Sequence, residues 1–112
     1  MTSDDEILRS DSVARQVIEL FSKKWALLVI YALFRGARRL SQLQRVIEGI
    51  SQKMLIQTLR ELEEKGFVTR TVYPVVPPRV DYALTPLGAS LHQPIVEMCR
   101  WGLTHLPAPK PD

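Results

Sequence analysis

A chain of 112 residues with 46% hydrophobic and 24% charged content has the make-up of one ordinary globular domain, able to bury roughly two-thirds of its unfolded surface without metal or disulfide support. A net charge of +3 and a pI near 9.3 admit a nucleic-acid partner without demanding one. The single cysteine, Cys99, excludes an internal disulfide, no signal-peptide pattern opens the chain, and the longest apolar run, residues 25–34, is too short for a bilayer, so a cytoplasmic protein is expected.

Residues 1–10 are polar and expected to be flexible. Ser10 or Ser12 then caps a helix to about residue 22, whose stripe of Val13, Val17, Leu20 and Phe21 is widened by Ala14 and Ile18 beyond what one core contact needs. A second helix, 24–34, is apolar nearly all round and should be central to the core, with Trp25 inside it; Gly36 ends it. Ser41 is the expected N-cap of a short helix over 41–47, holding Leu43, Val46 and Ile47. Residues 48–50 make a tight connection into a helix over 51–65, capped by Ser51 and stopped at Gly66. Two short helices joined by a few residues that include glycine have the anatomy of a helix-turn-helix.

The second of those helices carries two chemistries. Leu55, Leu59 and Leu62 share one stripe, while Lys53, Gln57 and Arg60 repeat the spacing on the opposite face. Two cations and an amide are the groups that bond phosphates and base edges in a major groove; a merely solvated face is the competing reading. Ser51 and Gln52 at the helix N-terminus are candidates for a phosphate or a base edge, Ser51 being equally a plain cap. Residues 35–79 hold nine basic side chains against Glu48, Glu61, Glu63 and Glu64, so the positive charge is concentrated there. Arg38, Arg39 and Ser41 lie where the preceding turn would pass a phosphate backbone.

After Gly66 the period changes to two. Residues 67–73 and 79–84 read as strands about a proline-stiffened tip, 74–78. Arg79 beside that tip suits a minor groove, or else pairs with Asp81. Thr85 and Pro86 start a helix to about residue 105 carrying Leu87, Leu91, Ile95, Met98 and Gly102, with Pro94 expected to kink or split it. Cys99 is expected to be a buried thiol, and Trp101 to pack at a seam or wall a ligand pocket. His92 and His105 are too far apart and unaccompanied for a metal site, and no cofactor or catalytic constellation is present in the pattern. The tail, 106–112, is proline-rich and expected to be flexible.

The order of elements and the strings Lys24-Trp25, Arg39-Leu40-Ser41-Gln42-Leu43, Ile50-Ser51-Gln52-Lys53-Met54-Leu55, Val76-Pro77-Pro78-Arg79-Val80 and Leu84-Thr85-Pro86-Leu87-Gly88 resemble the HxlR-type bacterial transcriptional regulators, relatives of the MarR group, over roughly residues 13–101. The resemblance implies a mainly α fold with a small β-hairpin, a winged helix-turn-helix over residues 11–105 with N- and C-terminal dimerisation helices. It implies a homodimer on a pseudo-palindromic operator, with recognition helices in major grooves and wings at the flanking minor grooves. First and last helices would pair, putting Val13, Val17, Leu20, Leu91, Ile95, Met98 and Trp101 at the dimer interface. A repressor follows, with a small apolar or aromatic effector near Trp101 and the first helix as the expected releasing signal. Many of these regulators sense oxidants through a cysteine just before the first helix; residues 10–12 here are Ser, Asp and Ser, so that switch does not carry over. The competing function is a winged helix used for protein contacts, with weak DNA affinity indifferent to sequence.

Overall fold

The computed structural model describes residues 4–110, in the order α1 (Asp4–Ile7), α2 (Val13–Phe21), α3 (Lys24–Ala32), α4 (Leu40–Val46), α5 (Gln52–Glu64), β1 (Val68–Tyr73), β2 (Arg79–Leu84), α6 (Pro86–Ala89) and α7 (His92–His105). Residues 1–3 and 111–112, parts of the ends expected to be flexible, lie outside the described residues. The remainder of the first ten is not featureless: α1 is a helical turn, tied back by Ser12 Oγ donating to Ile7 O at 3.0 Å and by Arg15 Nη1 donating to Leu8 O at 2.9 Å.

The core forms where α3 meets the helix-turn-helix. Ala26, Val29, Ile30 and Leu33 bury one face of α3 and its end against Leu43, Ile47, Ile50, Leu55, Leu59 and Leu62, with Val68 of β1 and Ile95 of α7 closing the cluster. Helix α3 is central to the core as expected, although not all of its apolar surface is covered: Leu28 and Tyr31 remain 42% and 54% exposed. Trp25 is half-buried, packed on the cluster and near the turn at Gly49 rather than inside it.

Helix α5 begins and ends as its sequence dictates. Ser51 is in extended conformation and its Oγ accepts from Met54 N at 3.1 Å. At the other end Gly66 takes φ +83°, letting Gly66 N reach Glu63 O and Phe67 N reach Leu62 O at 2.9 Å, the paired bonds of a Schellman stop. Replacing Ser51 with alanine removes the N-cap acceptor and is expected to cost about 1 kcal/mol in urea unfolding.

The start of α4 differs from the sequence reading. Its N-cap is Arg39, whose N–H donates to Gln42 Oε1 at 2.9 Å, so Ser41 lies inside the first turn and is exposed. The reach-back from Gln42 satisfies the N-cap amide, and no hydroxyl is needed there.

Strands β1 and β2 pair antiparallel from Val68 opposite Leu84 to Tyr73 opposite Arg79. Arg38 joins the hairpin through a bridge to Tyr82, with Arg38 N donating to Tyr82 O at 2.9 Å and Tyr82 N to Arg38 O at 2.8 Å. The hairpin is thus anchored to the segment that leads into α4.

The helix expected over 86–105, with a kink or split at Pro94, is two helices, but Pro94 is not where they part. The break falls at residues 90 and 91, where Ser90 caps α6 and Leu91 N donates to Gly88 O at 3.2 Å. Pro94 is the third residue of α7, where its N–H would have no intrahelical acceptor, so it neither kinks nor splits anything.

Helix α7 touches the core through its first turn and then overshoots it. Ile95 is 7% exposed and belongs to its own chain's core, which corrects its assignment to a dimer interface. Leu91 is half-buried on the same cluster. Beyond Ile95 no residue of α7 is buried, so Cys99 is exposed rather than the buried thiol expected. Met98 and Trp101 are also open, at 51% and 57%. Helix α2 buries none of its residues: Val13, Val17 and Ile18 are exposed and Leu20 is half-buried.

Candidate nucleic-acid interface

The core-facing and outward faces of α5 are set by one repeat. Leu55, Thr58, Leu59 and Leu62 are buried, and the Thr58 hydroxyl is satisfied by Met54 O at 2.7 Å. This fixes the helix in rotation, so Gln52, Lys53, Gln57 and Arg60 stand exposed on the other side. Lys53 and Arg60 make no ion pair or side-chain hydrogen bond among the described residues, and Gln57 has one long bond, Nε2 to Glu61 Oε1 at 3.5 Å. Two unpaired cations on a rigid helix keep their full attraction for an anion. At the N-terminus Ser51 caps Met54 N, while the amides of Gln52 and Lys53 have no intrahelical acceptor and add to the positive end of the helix.

A second basic group gathers where the hairpin meets α4. Arg79 is paired with Asp81, Nη2 to Oδ2 at 3.0 Å and Nε to Oδ1 at 3.2 Å, in a two-bond fork. The alternation of β2 puts both on one face, and register puts Tyr73 opposite Arg79, whose guanidinium carbon lies 4.9 Å from the Tyr73 ring centre. Of the two readings of Arg79, the pairing with Asp81 is therefore realised, with nearly half of the Arg79 side chain still exposed. Arg39 Nε approaches the same carboxylate at 4.0 Å. Arg79 holds the Asp81 carboxyl below the usual carboxylate range, and Asp81 raises Arg79 in return. The sign follows: the pair is intact above the ordinary carboxylate pKa and is lost only as acid protonates Asp81 below its lowered folded value.

The approach of Arg39 to Asp81 was not visible in the sequence, since it joins two elements through a tertiary contact. Among the described residues, neither half-buried Arg38 nor exposed Ser41 makes a side-chain hydrogen bond or ion pair, so the two flank this group without joining it.

An open cleft of about 1050 Å³ lies between the end of α3, the 35–38 loop, α4, β2 and the α6–α7 junction. Tyr31, Phe34 and His92 form its aromatic wall through edge-to-face contacts of 5.5 and 4.6 Å. Neither Trp101 nor any residue of α2 lines it, so this cavity is not where the sequence reading put an effector. Trp101 instead stacks on His105 at 5.0 Å. Among the described residues no cluster of histidine, cysteine and carboxylate could hold a metal, and no helix is long and apolar enough to cross a membrane.

A buried-leucine helix with a free cationic face, preceded by a short helix and a glycine turn and followed by an anchored hairpin, is a winged helix-turn-helix. A family model for the HxlR-like helix-turn-helix matches residues 20–110. The chain belongs to this family. HxlR-like proteins are DNA-binding transcription regulators, and this chain is a transcriptional regulator of the helix-turn-helix type. It is 52% identical over 84 residues to YkvN, an uncharacterized HTH-type transcriptional regulator of Bacillus subtilis (strain 168), covering 75% of this chain and 71% of that one. A MarR-family transcriptional regulator from Porphyromonas gingivalis W83 superposes with a TM-score of 0.81 at 40% identity, over 95% of this chain and 99% of that chain. The reduced form of the B. subtilis regulator YodB gives a TM-score of 0.77 at 31% identity, over 98% of this chain and 100% of that chain. The HxlR-like assignment makes α4 and α5 the helix-turn-helix and the hairpin its wing.

Proposed function

We propose that this HxlR-like protein is a homodimeric, sequence-specific repressor that reads a pseudo-palindromic operator with α5 and steadies itself on the duplex with its wing. The observation that carries this is the outward face of α5, where Lys53 and Arg60 stand unpaired and Gln57 is bound by one long contact. Arginine and glutamine in this arrangement suit purine edges, and lysine suits a phosphate or guanine. Arg38, Arg39, Ser41, Ser51 and Gln52 supply backbone contacts around it, and Arg79 the minor-groove contact.

The dimer is supported by surface left uncovered. A folded monomer of 12.8 kDa exposes about 6,300 Å², whereas this chain exposes 8625 Å² and extends 54 × 38 × 23 Å. Part of the excess is the apolar surface of Val13, Val17, Ile18, Met98, Trp101 and Leu103 on α2 and α7, a load that isolated soluble chains rarely carry. Pairing α2 and α7 of two copies covers it and sets the two α5 helices about one DNA turn, roughly 34–36 Å, apart. A Val17→Glu, Trp101→Glu protein is expected to sediment as a monomer where the parent is a dimer, and to lose operator affinity by about a hundredfold or more because each half-site then binds alone.

Occupying promoter DNA lowers transcription, in the cytoplasm where that DNA lies. A small apolar or aromatic effector at the α2–α7 seam releases the operator by binding better to a dimer whose α5 spacing no longer matches.

The deciding experiment selects duplexes from a random pool with the parent protein and footprints the DNA upstream of its own gene. A selected duplex should bind at least a thousandfold better than random DNA. Arg60→Ala should lose about 1–3 kcal/mol on the selected duplex, with relaxed preference at one base pair. Equal affinity for all duplexes would leave the protein-contact use of the winged helix standing instead.

A further inference from the structure

Asp81 is an acid on a surface otherwise suited to a polyanion, and it sits at the joint between wing and helix-turn-helix. Its side chain is 13% exposed, covered by the groups around it. Both carboxylate oxygens are engaged by the Arg79 fork, Arg39 of the α4 N-cap lies 4.0 Å away, and the neighbouring Arg38 and Tyr82 exchange two backbone bonds. Tyr73 lies beside the Arg79 guanidinium. Arg79 therefore has a fixed fork plane and two neighbours that hold it, unlike Lys53 and Arg60.

From this geometry we infer that Asp81 is a positioning residue for DNA recognition: it fixes Arg79 and ties it to Arg39, setting the wing's preference among sequences rather than its overall grip on DNA. This rests on the DNA-reading function proposed above. A loose arginine binds any phosphate within reach, because its side chain can follow the charge. One held by a fork and a ring presents its outer edge at one place, where only a groove of matching width and position receives it. The carboxylate also subtracts one positive charge from the long-range attraction, so it weakens random binding while it orders specific binding. Two opposite effects on two kinds of DNA are the signature of such a residue, and a part needed only for folding would lower both together.

The test compares binding of the parent, Asp81→Asn and Asp81→Glu proteins to a duplex selected by the parent and to a random duplex of equal length. Asp81→Asn should lower the selected-to-random ratio about tenfold, with random-DNA affinity unchanged or raised and a salt slope on random DNA steeper by up to about one. Asp81→Glu, which restores the charge and can reach the fork, should recover most of the ratio. The inference is overturned by an Asp81→Asn ratio within twofold of the parent, or by equal losses on both duplexes. A parent protein with no preference at all overturns the DNA-reading function itself, and this inference with it. Should Asp81→Asn not fold, relaxation of the Arg79 Nε–H signal in the free parent decides: a restrained side chain supports the inference, and one as mobile as Lys53 or Arg60 overturns it.

Discussion

Gly88→Ala is expected to destabilise the fold by about 3 kcal/mol, a fall of roughly 10–15 °C in the midpoint of a thermal melt followed by circular dichroism at 222 nm. Alanine normally favours a helix over glycine by about 1 kcal/mol, so the sign has to come from packing. Gly88 is buried in α6, and a β-carbon there would be driven into the carbonyl oxygen of Phe67, with Leu84 Cδ2 at 3.1 Å and Phe67 C at 3.2 Å behind it. The obstruction is backbone, so no rotamer relieves it. That carbonyl accepts Thr85 N at 3.1 Å, while the Thr85 hydroxyl accepts Gly88 N at 3.1 Å and donates to Gly66 O at 2.6 Å. Moving α6 away to make room pulls on all three bonds and on the strand end that anchors the wing. Gly102→Ala is the control: its β-carbon would meet Leu106 Cδ1 at an ordinary 3.8 Å, so the melt should be unchanged or higher. A Gly88→Ala midpoint within a few degrees of the parent would show that α6 shifts freely.

Signals carried within a few residues were legible in the sequence, and those carried across the fold were not. Ser51 and Gly66 marked the bounds of α5 because capping is local chemistry, and period-two patterning over residues 67–84 gave both strands and their turn. Pro94 misled because proline breaks a helix only past its first turn, and where the first turn lies depends on how α6 docks against Phe67. Cys99 falls four residues after Ile95, on the same face, but α7 leaves the core after Ile95; periodicity states which residues align, not how far the core follows them. The same reason makes Ile95 look like part of a partner-facing stripe, since a stripe that serves the core in one turn and faces outward in the next looks continuous in sequence. Of the site residues, Lys53, Gln57 and Arg60 could be read from a helical repeat, and the Arg79–Asp81 pair from strand alternation. The approach of Arg39 to Asp81 joins residues far apart in the chain and is set by the tertiary fold alone.

Removing Lys53, Gln57 and Arg60 together should collapse the preference for the selected duplex by about a thousandfold or more, since each good base contact contributes about 1–3 kcal/mol and contacts on one rigid helix are lost together. The fold should survive. All three side chains are exposed, the replaced residues rank close to alanine in helix propensity, and among the described residues the only bond lost is the 3.5 Å contact from Gln57 to Glu61, so urea unfolding should move by about 0.5 kcal/mol or less. Random-DNA binding should weaken far less, with its salt slope shallower by up to about two as two cations leave the phosphate field. Lys110→Ala, which removes one exposed charge from the tail, separates this from a general loss of positive charge and should leave the ratio unchanged. The triple variant also discriminates between the two uses of the winged helix. If α5 served protein contacts, its cations would matter only through long-range attraction, and affinity for both duplexes would fall by the same modest factor. A triple variant that kept the parent's selected-to-random ratio would remove α5 as the reading element and leave the wing, with Arg79 and Asp81, to account for any sequence preference.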